Sequence, residues 1–132
     1  MECGSVLVVE DDASLVRAIV RNLVARGFPA RSATTVHDAV QSLEIDPPAI
    51  LVLDIDLPDG SGWEVLRALR AKGGDVTVII MSALKPNPRL AAELCADHVI
   101  EKPFPIDSLL RLCSQAAGVP SDTIPFAAGA EG

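Results

Sequence analysis

Glu10, Asp11, Asp54, Ser82 and Lys102 are side-chain types that handle phosphate and divalent cations, and each stands at or just past the end of a short strand-like segment. Val6-Leu7-Val8-Val9 leads into Glu10 and Asp11, and Ala49 to Leu53 leads into Asp54. Val76 to Met81 leads into Ser82, and Val99 to Glu101 leads into Lys102. If these run ends converge, three carboxylates share one crevice, and such a group is relieved either by protonation or by a hard cation. Mg2+ suits an open site of this kind: it prefers oxygen ligands, keeps several waters and commonly takes one or two carboxylates plus a phosphate oxygen. The metal would screen Asp54 and let its carboxylate approach an anionic phosphoryl donor. Lys102 offers a compact positive charge to a second phosphoryl oxygen, and the Ser82 hydroxyl can donate to a third. Phosphoryl transfer needs mainly positioning and charge neutralisation, which this set supplies.

The elements that must position these residues follow from hydrophobic periodicity. Val6 to Val9 is a continuous valine-rich run, as in a strand buried on both faces. From Ser14, Leu15, Val16, Ile19, Val20, Leu23 and Val24 recur at helical spacing, with Gly27 as the stop. A weak strand over Pro29 to Ala33 precedes Thr35, an N-cap for a helix with Val36, Ala39, Val40 and Leu43 on its buried stripe. Pro47 and Pro48 end that helix. Ala49 to Leu53 is the next strand, and Leu57-Pro58-Asp59-Gly60-Ser61-Gly62 reads as a loop. A third helix runs from about Trp63 to Lys72, and Val76 to Met81 is the most hydrophobic strand. Pro86 and Pro88 bar regular helix before about Arg89, so the fourth helix is short. Val99 to Glu101 is the last strand, and Pro105 opens a final amphipathic helix through Ile106, Leu109, Leu110 and Cys113 that Gly118 closes.

Strands alternating with helices imply an α/β fold, a doubly wound parallel sheet with helices on both faces. In such a sheet, ligands bind outside the carboxyl ends of the strands, the edge to which the polar set above is assigned. Residues 1–118 form one domain, and 119–132, rich in Gly, Pro, Ala and Ser, read as a flexible tail or linker stub.

The composition narrows the classes. With 132 residues and nearly half of them apolar, the chain holds one core. A net charge of −7 argues against direct nucleic-acid binding, because duplex affinity comes largely from Lys and Arg. Cys3, Cys95 and Cys113 are odd in number and lack C-x-x-C spacing, so neither a disulfide framework nor a zinc site is indicated. No basic n-region or spanning apolar segment is present, and a cytoplasmic protein without membrane contact is expected. His37 and His98 are placed away from the crevice and read as surface residues. Asp12, Asp59 and Asp75 read as solvated loop ends, and Trp63 as packing at the rim of the site.

The ordered set Val6-Leu7-Val8-Val9-Glu10-Asp11-Asp12, Leu53-Asp54 with Leu57-Pro58 and Gly62, Met81-Ser82-Ala83, and Lys102-Pro103-Phe104 resembles the receiver domains of two-component response regulators, of the CheY-like superfamily. The resemblance spans nearly the whole chain expected to be ordered. It implies a flavodoxin-like (βα)5 sheet of five parallel strands in the order 2-1-3-4-5. It also implies Asp54 as phosphoacceptor, Asp11 as direct metal ligand, Glu10 acting through water and the backbone carbonyl of Asp56 as a further ligand. Ser82 becomes the hydroxyl switch and Lys102 the phosphoryl-contacting lysine, with a cis peptide before Pro103. Mg2+ is the implied cofactor, with Mn2+ able to substitute. The implied donor is a sensor histidine kinase or a histidine phosphotransfer protein, and the output is contact with a downstream protein or a phosphorylation-dependent homodimer. Such a protein catalyses only its own phosphorylation and dephosphorylation.

The chain departs from that pattern in three places. Val99 stands where the family usually has the aromatic half of its switch. The segment from Ser82 to Lys102 is about two residues shorter than the family norm and holds two prolines, so the fourth helix is expected to be short, shifted or mobile, on the face that normally carries the output surface. Asp56 adds a carboxylate two residues beyond the acceptor, which implies a changed phosphoryl lifetime. Two rival readings remain. Asp54-Ile55-Asp56 resembles the D-x-D nucleophile of haloacid-dehalogenase-type phosphatases, but it lies on an inner strand, is followed by Pro58, and leaves Glu10 and Asp11 unexplained. A pseudo-receiver, with the fold but no phosphorylation cycle, is favoured by the altered switch and opposed by the intact site set.

Overall fold

The strands with continuous apolar sequence are those buried on both faces. In the computed structural model, which describes residues 4–118, β1 (Val6–Val9) and β3 (Ile50–Asp54) are buried at every position, and β6 (Thr77–Ser82) at all but Thr77. β2 (Ala30–Ala33) and β7 (His98–Glu101) flank them and are far less covered. The five strands pair in parallel in the order β2-β1-β3-β6-β7. With the short hairpin described below left out of the count, this is the expected order 2-1-3-4-5. Cys3 and the expected tail, residues 119–132, lie outside the described residues.

Because side chains alternate across a strand, successive residues of β1 feed two separate cores. Leu7 and Val9 join Leu51, Leu53, Val78 and Ile80 under α2 (Val36–Ile45) and α3 (Gly62–Lys72). Val6 and Val8 join Ile50, Val52, Ile79 and Met81 under α1 (Ala13–Ala25) and α5 (Ile106–Ala116). The helical stripes explain the docking: Ile19 and Leu23 of α1, Ala39 and Leu43 of α2, and Leu109, Leu110 and Cys113 of α5 are all buried. Cys113 is a free thiol whose pKa burial pushes up to about 12, so it stays a neutral core residue. No helix among the described residues is long and apolar enough to cross a membrane.

Helix ends show where local chemistry sets the boundaries and correct several readings. Asp12, read above as a solvated loop end, caps α1: its carboxylate accepts from the Ser14 and Leu15 amides at 3.0 and 3.2 Å, so the helix begins at Ala13. Thr35 caps α2 as expected, accepting from the Asp38 amide at 3.0 Å. Ser61 and Glu64 form a reciprocal capping box at the head of α3. α4 (Pro88–Glu93) is only six residues long, capped by Asn87, and buries no residue. Just beyond its last turn, the Arg70 guanidinium of α3 donates to the carbonyls of Leu94 at 2.8 Å and Cys95 at 2.6 Å, and Leu94 and Ala96 pack against the core.

The segment after Asp54 is not wholly irregular. Asp56–Leu57 (β4) and Gly60–Ser61 (β5) pair antiparallel around Pro58 and Asp59, a small hairpin within the expected loop. Loop composition had hidden it, since a tight two-residue turn draws on the same residue types.

Candidate functional site

Parallel pairing carries the run ends to one edge. β1 and β3 are neighbours with Val9 opposite Leu53, so Glu10 and Asp54 emerge side by side. β6 follows with Met81 opposite Asp54, and β7 with Glu101 opposite Ser82, which sets Lys102 beside that end. The backbone N–H of Lys102 donates to the Ser82 carbonyl at 2.8 Å, fixing the segment that aims the lysine. The Lys102-Pro103 peptide is cis.

Glu10, Asp11 and Asp54 each bring a carboxylate oxygen to within 4.8 Å of the other two. Glu10 and Asp54 are buried, at 1% and 3% exposure, while Asp11 is exposed and opens the cluster to solvent. Lys102 reaches over them, its Nζ 2.6 Å from Glu10 Oε1 and 3.4 Å from Asp54 Oδ2. Burial raises the pKa of Glu10, and the Asp54 charge adds to this; the Lys102 hydrogen bond and the Asp12 amide oppose it without cancelling it. Burial works against the Lys102 ammonium as well, but its hydrogen bond to Glu10 and the charges of Glu10 and Asp54 outweigh that and raise its pKa. One ammonium against three carboxylates leaves the crevice short of positive charge. An all-oxygen donor set with one open side matches a hard divalent cation that keeps several waters.

Asp54 is further defined by its neighbours. Its Oδ1 accepts from the Asp56 amide at 3.1 Å, while Oδ2 faces Lys102. The Ile55 amide donates to the Met81 carbonyl at 3.2 Å, so the strand end stays tied to β6. Gly62, quoted above only as part of a pattern, has a physical role: a Cβ there would stand 2.3 Å from the Asp54 carbonyl oxygen and 2.9 Å from Ile55 Cα. The first turn of α3 therefore rests directly on the backbone of the acceptor strand.

The remaining assigned residues fall as follows. Ser82 is buried at the end of β6, and its hydroxyl is bonded to the backbone of Leu84, donating to the carbonyl and accepting from the amide at 3.2 Å. Asp56 starts β4 with an exposed side chain, next to the acceptor through its amide. Val99 lies on β7 and is 45% exposed. His37 is exposed and His98 half-buried at the start of β7. Trp63 is half-buried against the core cluster that includes Leu57, Val65 and Leu66. Asp59 corrects the second loop-end reading, since both of its carboxylate oxygens cap α2, a contact taken up below.

A doubly wound five-stranded sheet with acidic residues and a lysine on its carboxyl edge defines a CheY-like receiver fold. Residues 6–114 match the response regulator receiver domain family, and the chain belongs to it. It is 32% identical over 119 residues to the acid tolerance regulatory protein ActR of Rhizobium meliloti, covering 86% of this chain and 60% of that protein. It is 36% identical over 110 residues to the response regulator MprA of Mycobacterium ulcerans, covering 80% and 46%. The chain thus spans about half of the curated relatives it matches. Among solved structures, a signal receiver domain from Vibrio parahaemolyticus superposes with a TM-score of 0.78 at 29% identity, covering 89% of this chain and 92% of that one. A CheY-like receiver domain from Methylobacillus flagellatus superposes at 0.78 and 26% identity, covering 87% and 99%.

Proposed function

We propose that this receiver domain accepts a phosphoryl group on Asp54 from the phosphohistidine of a sensor kinase or histidine phosphotransfer protein, in a reaction that requires Mg2+. The observation that carries the reading is the meeting of Glu10, Asp11 and Asp54 within 4.8 Å under the Lys102 ammonium. Glu10, Asp11, Asp54 and the backbone carbonyl of Asp56 would hold the cation, with Glu10 acting through water, and Mn2+ would serve in its place. Bound there, the cation supplies neutralising charge to the carboxylates and to the incoming phosphoryl oxygens.

The chain's own residues do the rest. Asp54 is held by the Asp56 amide on one oxygen, and its other carboxylate oxygen attacks phosphorus as the phosphorus–nitrogen bond to the donor imidazole breaks. The electron pair stays on the imidazole, which is protonated, and an acyl phosphate remains on Asp54. Lys102 is already within 3.4 Å of the acceptor and shifts its contacts to a phosphoryl oxygen. Ser82 completes the response by leaving Leu84 and donating to another. Output passes by contact with a downstream protein, with a second copy of the domain, or with a further region of a longer chain, since ActR and MprA extend beyond the matched part. Val99 and the short α4 would shape that face. The working unit spans 1–118, without direct contact to nucleic acid or membrane, and is cytoplasmic.

Uptake of beryllofluoride, followed by fluorine NMR, tests this. Uptake should require Mg2+ and vanish in Asp54→Asn. A folded protein that takes up none would be a binding module, a reading to which the engaged Ser82 hydroxyl and the exposed Val99 give some footing. Steady turnover of p-nitrophenyl phosphate would instead mark a phosphatase.

A further inference from the structure

The hairpin that follows the acceptor is too small to hold its own shape. β4 and β5 contribute two residue pairs, Asp56 with Ser61 and Leu57 with Gly60, and an isolated two-stranded hairpin is marginal in water at best. Leu57 anchors its first strand in the core, and its tip is held by the helix heads around it. Asp59, at the tip, accepts from the Val36 amide through Oδ1 at 2.7 Å and from the His37 amide through Oδ2 at 3.2 Å. These are the first two N–H groups of α2, distinct from the one that Thr35 satisfies at Asp38. The fit is close: a Cβ on Gly60 would stand 2.6 Å from Glu64 Oε2 and 3.4 Å from Val36 Cγ2, so the turn sits between the heads of α2 and α3. The bond from Val36 is the largest influence lowering the pKa of Asp59, and the carboxylate stays ionised as an acceptor through the neutral range.

At the other end of the same hairpin, the Asp56 amide donates to Asp54 Oδ1 at 3.1 Å. The hairpin is thus tied to α2 at its tip and to the acceptor at its base, with Leu57 buried in the core between them. We propose that Asp59 is a positioning residue for the cation site: by clamping the hairpin tip onto the head of α2, it holds the Asp56 backbone where its carbonyl can serve as a ligand. This rests on the cation reading given above. Asp59 touches neither the cation nor phosphate, and its effect runs wholly through the hairpin backbone.

Two caps on one helix end separate this role from simple helix capping. Thr35 and Asp59 both satisfy the head of α2, but only Asp59 belongs to the hairpin. MgCl2 is titrated into the parent, Asp59→Ala, Asp59→Asn and Thr35→Ala, following the backbone amides of Asp54, Ile55 and Asp56 by NMR, with thermal unfolding measured alongside. Residues that orient metal ligands typically change affinity by about tenfold or more when removed, so Asp59→Ala should raise the half-saturating Mg2+ concentration about tenfold. Asp59→Asn keeps one acceptor oxygen and should recover part of that loss, to about threefold. Thr35→Ala should lower the melting point yet leave the Mg2+ midpoint within about twofold, since it frees a helix amide and not the hairpin. A parent whose amides ignore MgCl2 overturns the cation reading and this inference with it. A parent that responds while Asp59→Ala keeps its midpoint overturns the inference alone, as does a Thr35→Ala shift as large as that of Asp59→Ala.

Discussion

Gly62→Ala sets two local effects of opposite sign against each other. Gly62 is the first residue of α3, and its backbone does not take a positive φ. Helix propensity alone therefore favours alanine, by up to about 1 kcal/mol. Packing opposes it: the new methyl would stand 2.3 Å from the Asp54 carbonyl oxygen, 2.9 Å from Ile55 Cα and 3.1 Å from the Asp54 carbonyl carbon. All three are backbone atoms, so no rotamer change relieves the contact, and helix and strand must part by roughly 1 Å to reach ordinary separation. Overpacking of this kind costs about 1–3 kcal/mol. Packing should win, with a net loss of about 1–2 kcal/mol, or roughly 4–8 °C of melting temperature for a domain of this size. A displacement of about 1 Å at the acceptor should also slow autophosphorylation by acetyl phosphate by about a hundredfold. Gly60→Ala is the internal control, because its nearest obstacle is the Glu64 carboxylate at 2.6 Å, the end of a side chain that can swing away. It should lose only the capping-box bond, about 0.5–1 kcal/mol, and keep most of its rate. Thermal unfolding and acetyl phosphate kinetics on both variants test this. Gly62→Ala melting at or above the parent, with an unchanged rate, would refute the packing argument.

Three further outcomes follow from the site and its supports. Glu10→Gln should stabilise the metal-free protein near pH 7, because the folded-state pKa of Glu10 lies above its ordinary 4.5. The Glu10 contribution is thus fully present below 4.5 and lost as pH rises through the folded value, so the variant's advantage should grow over that rise and vanish in acid, as melting curves across pH would show. Arg70→Ala should remove the bonds to Leu94 and Cys95, costing about 1–3 kcal/mol and speeding amide exchange across residues 88–97 ahead of the sheet. Asp56→Asn should change the dephosphorylation rate severalfold, since the exposed carboxylate two residues beyond the acceptor can repel or orient the attacking water; equal rates would remove that role for its charge.

What could be read directly from the residues was whatever repeats or abuts along the chain. The buried strands announce themselves as unbroken apolar runs because both faces are covered, and Pro86 and Pro88 foretell a short α4 because proline removes a donor and blocks the preceding turn. Of the candidate site, Glu10, Asp11, Asp54 and Ser82 were legible because they close such runs, whereas Lys102 follows the short, half-exposed β7 and stood out through the Lys102-Pro103-Phe104 pattern. Features that depend on distant partners were not. Asp59 looks like any solvated loop aspartate, since the amides it caps lie more than twenty positions back, at Val36 and His37. Asp12 was missed for a different reason: a capping aspartate and a solvated one share residue type and flanks, and here the acidic triplet masked the cap. That Lys102 pairs first with Glu10, at 2.6 Å, is set by side-chain reach across three strands and leaves no mark in residue order. Arg70 reads as one more surface arginine on α3 until α4 is seen to end against it.

On the function proposed above, the Asp54 carboxylate, set among Glu10, Asp11 and Lys102, is the group that takes the phosphoryl. The most direct measurement is peptide-resolved mass spectrometry after incubation with acetyl phosphate, with MgCl2 present or chelated. A single phosphoryl group should be added per chain, on Asp54, only when Mg2+ is present. A phosphoryl group on any other residue, or none on a folded protein with Mg2+ supplied, would contradict it.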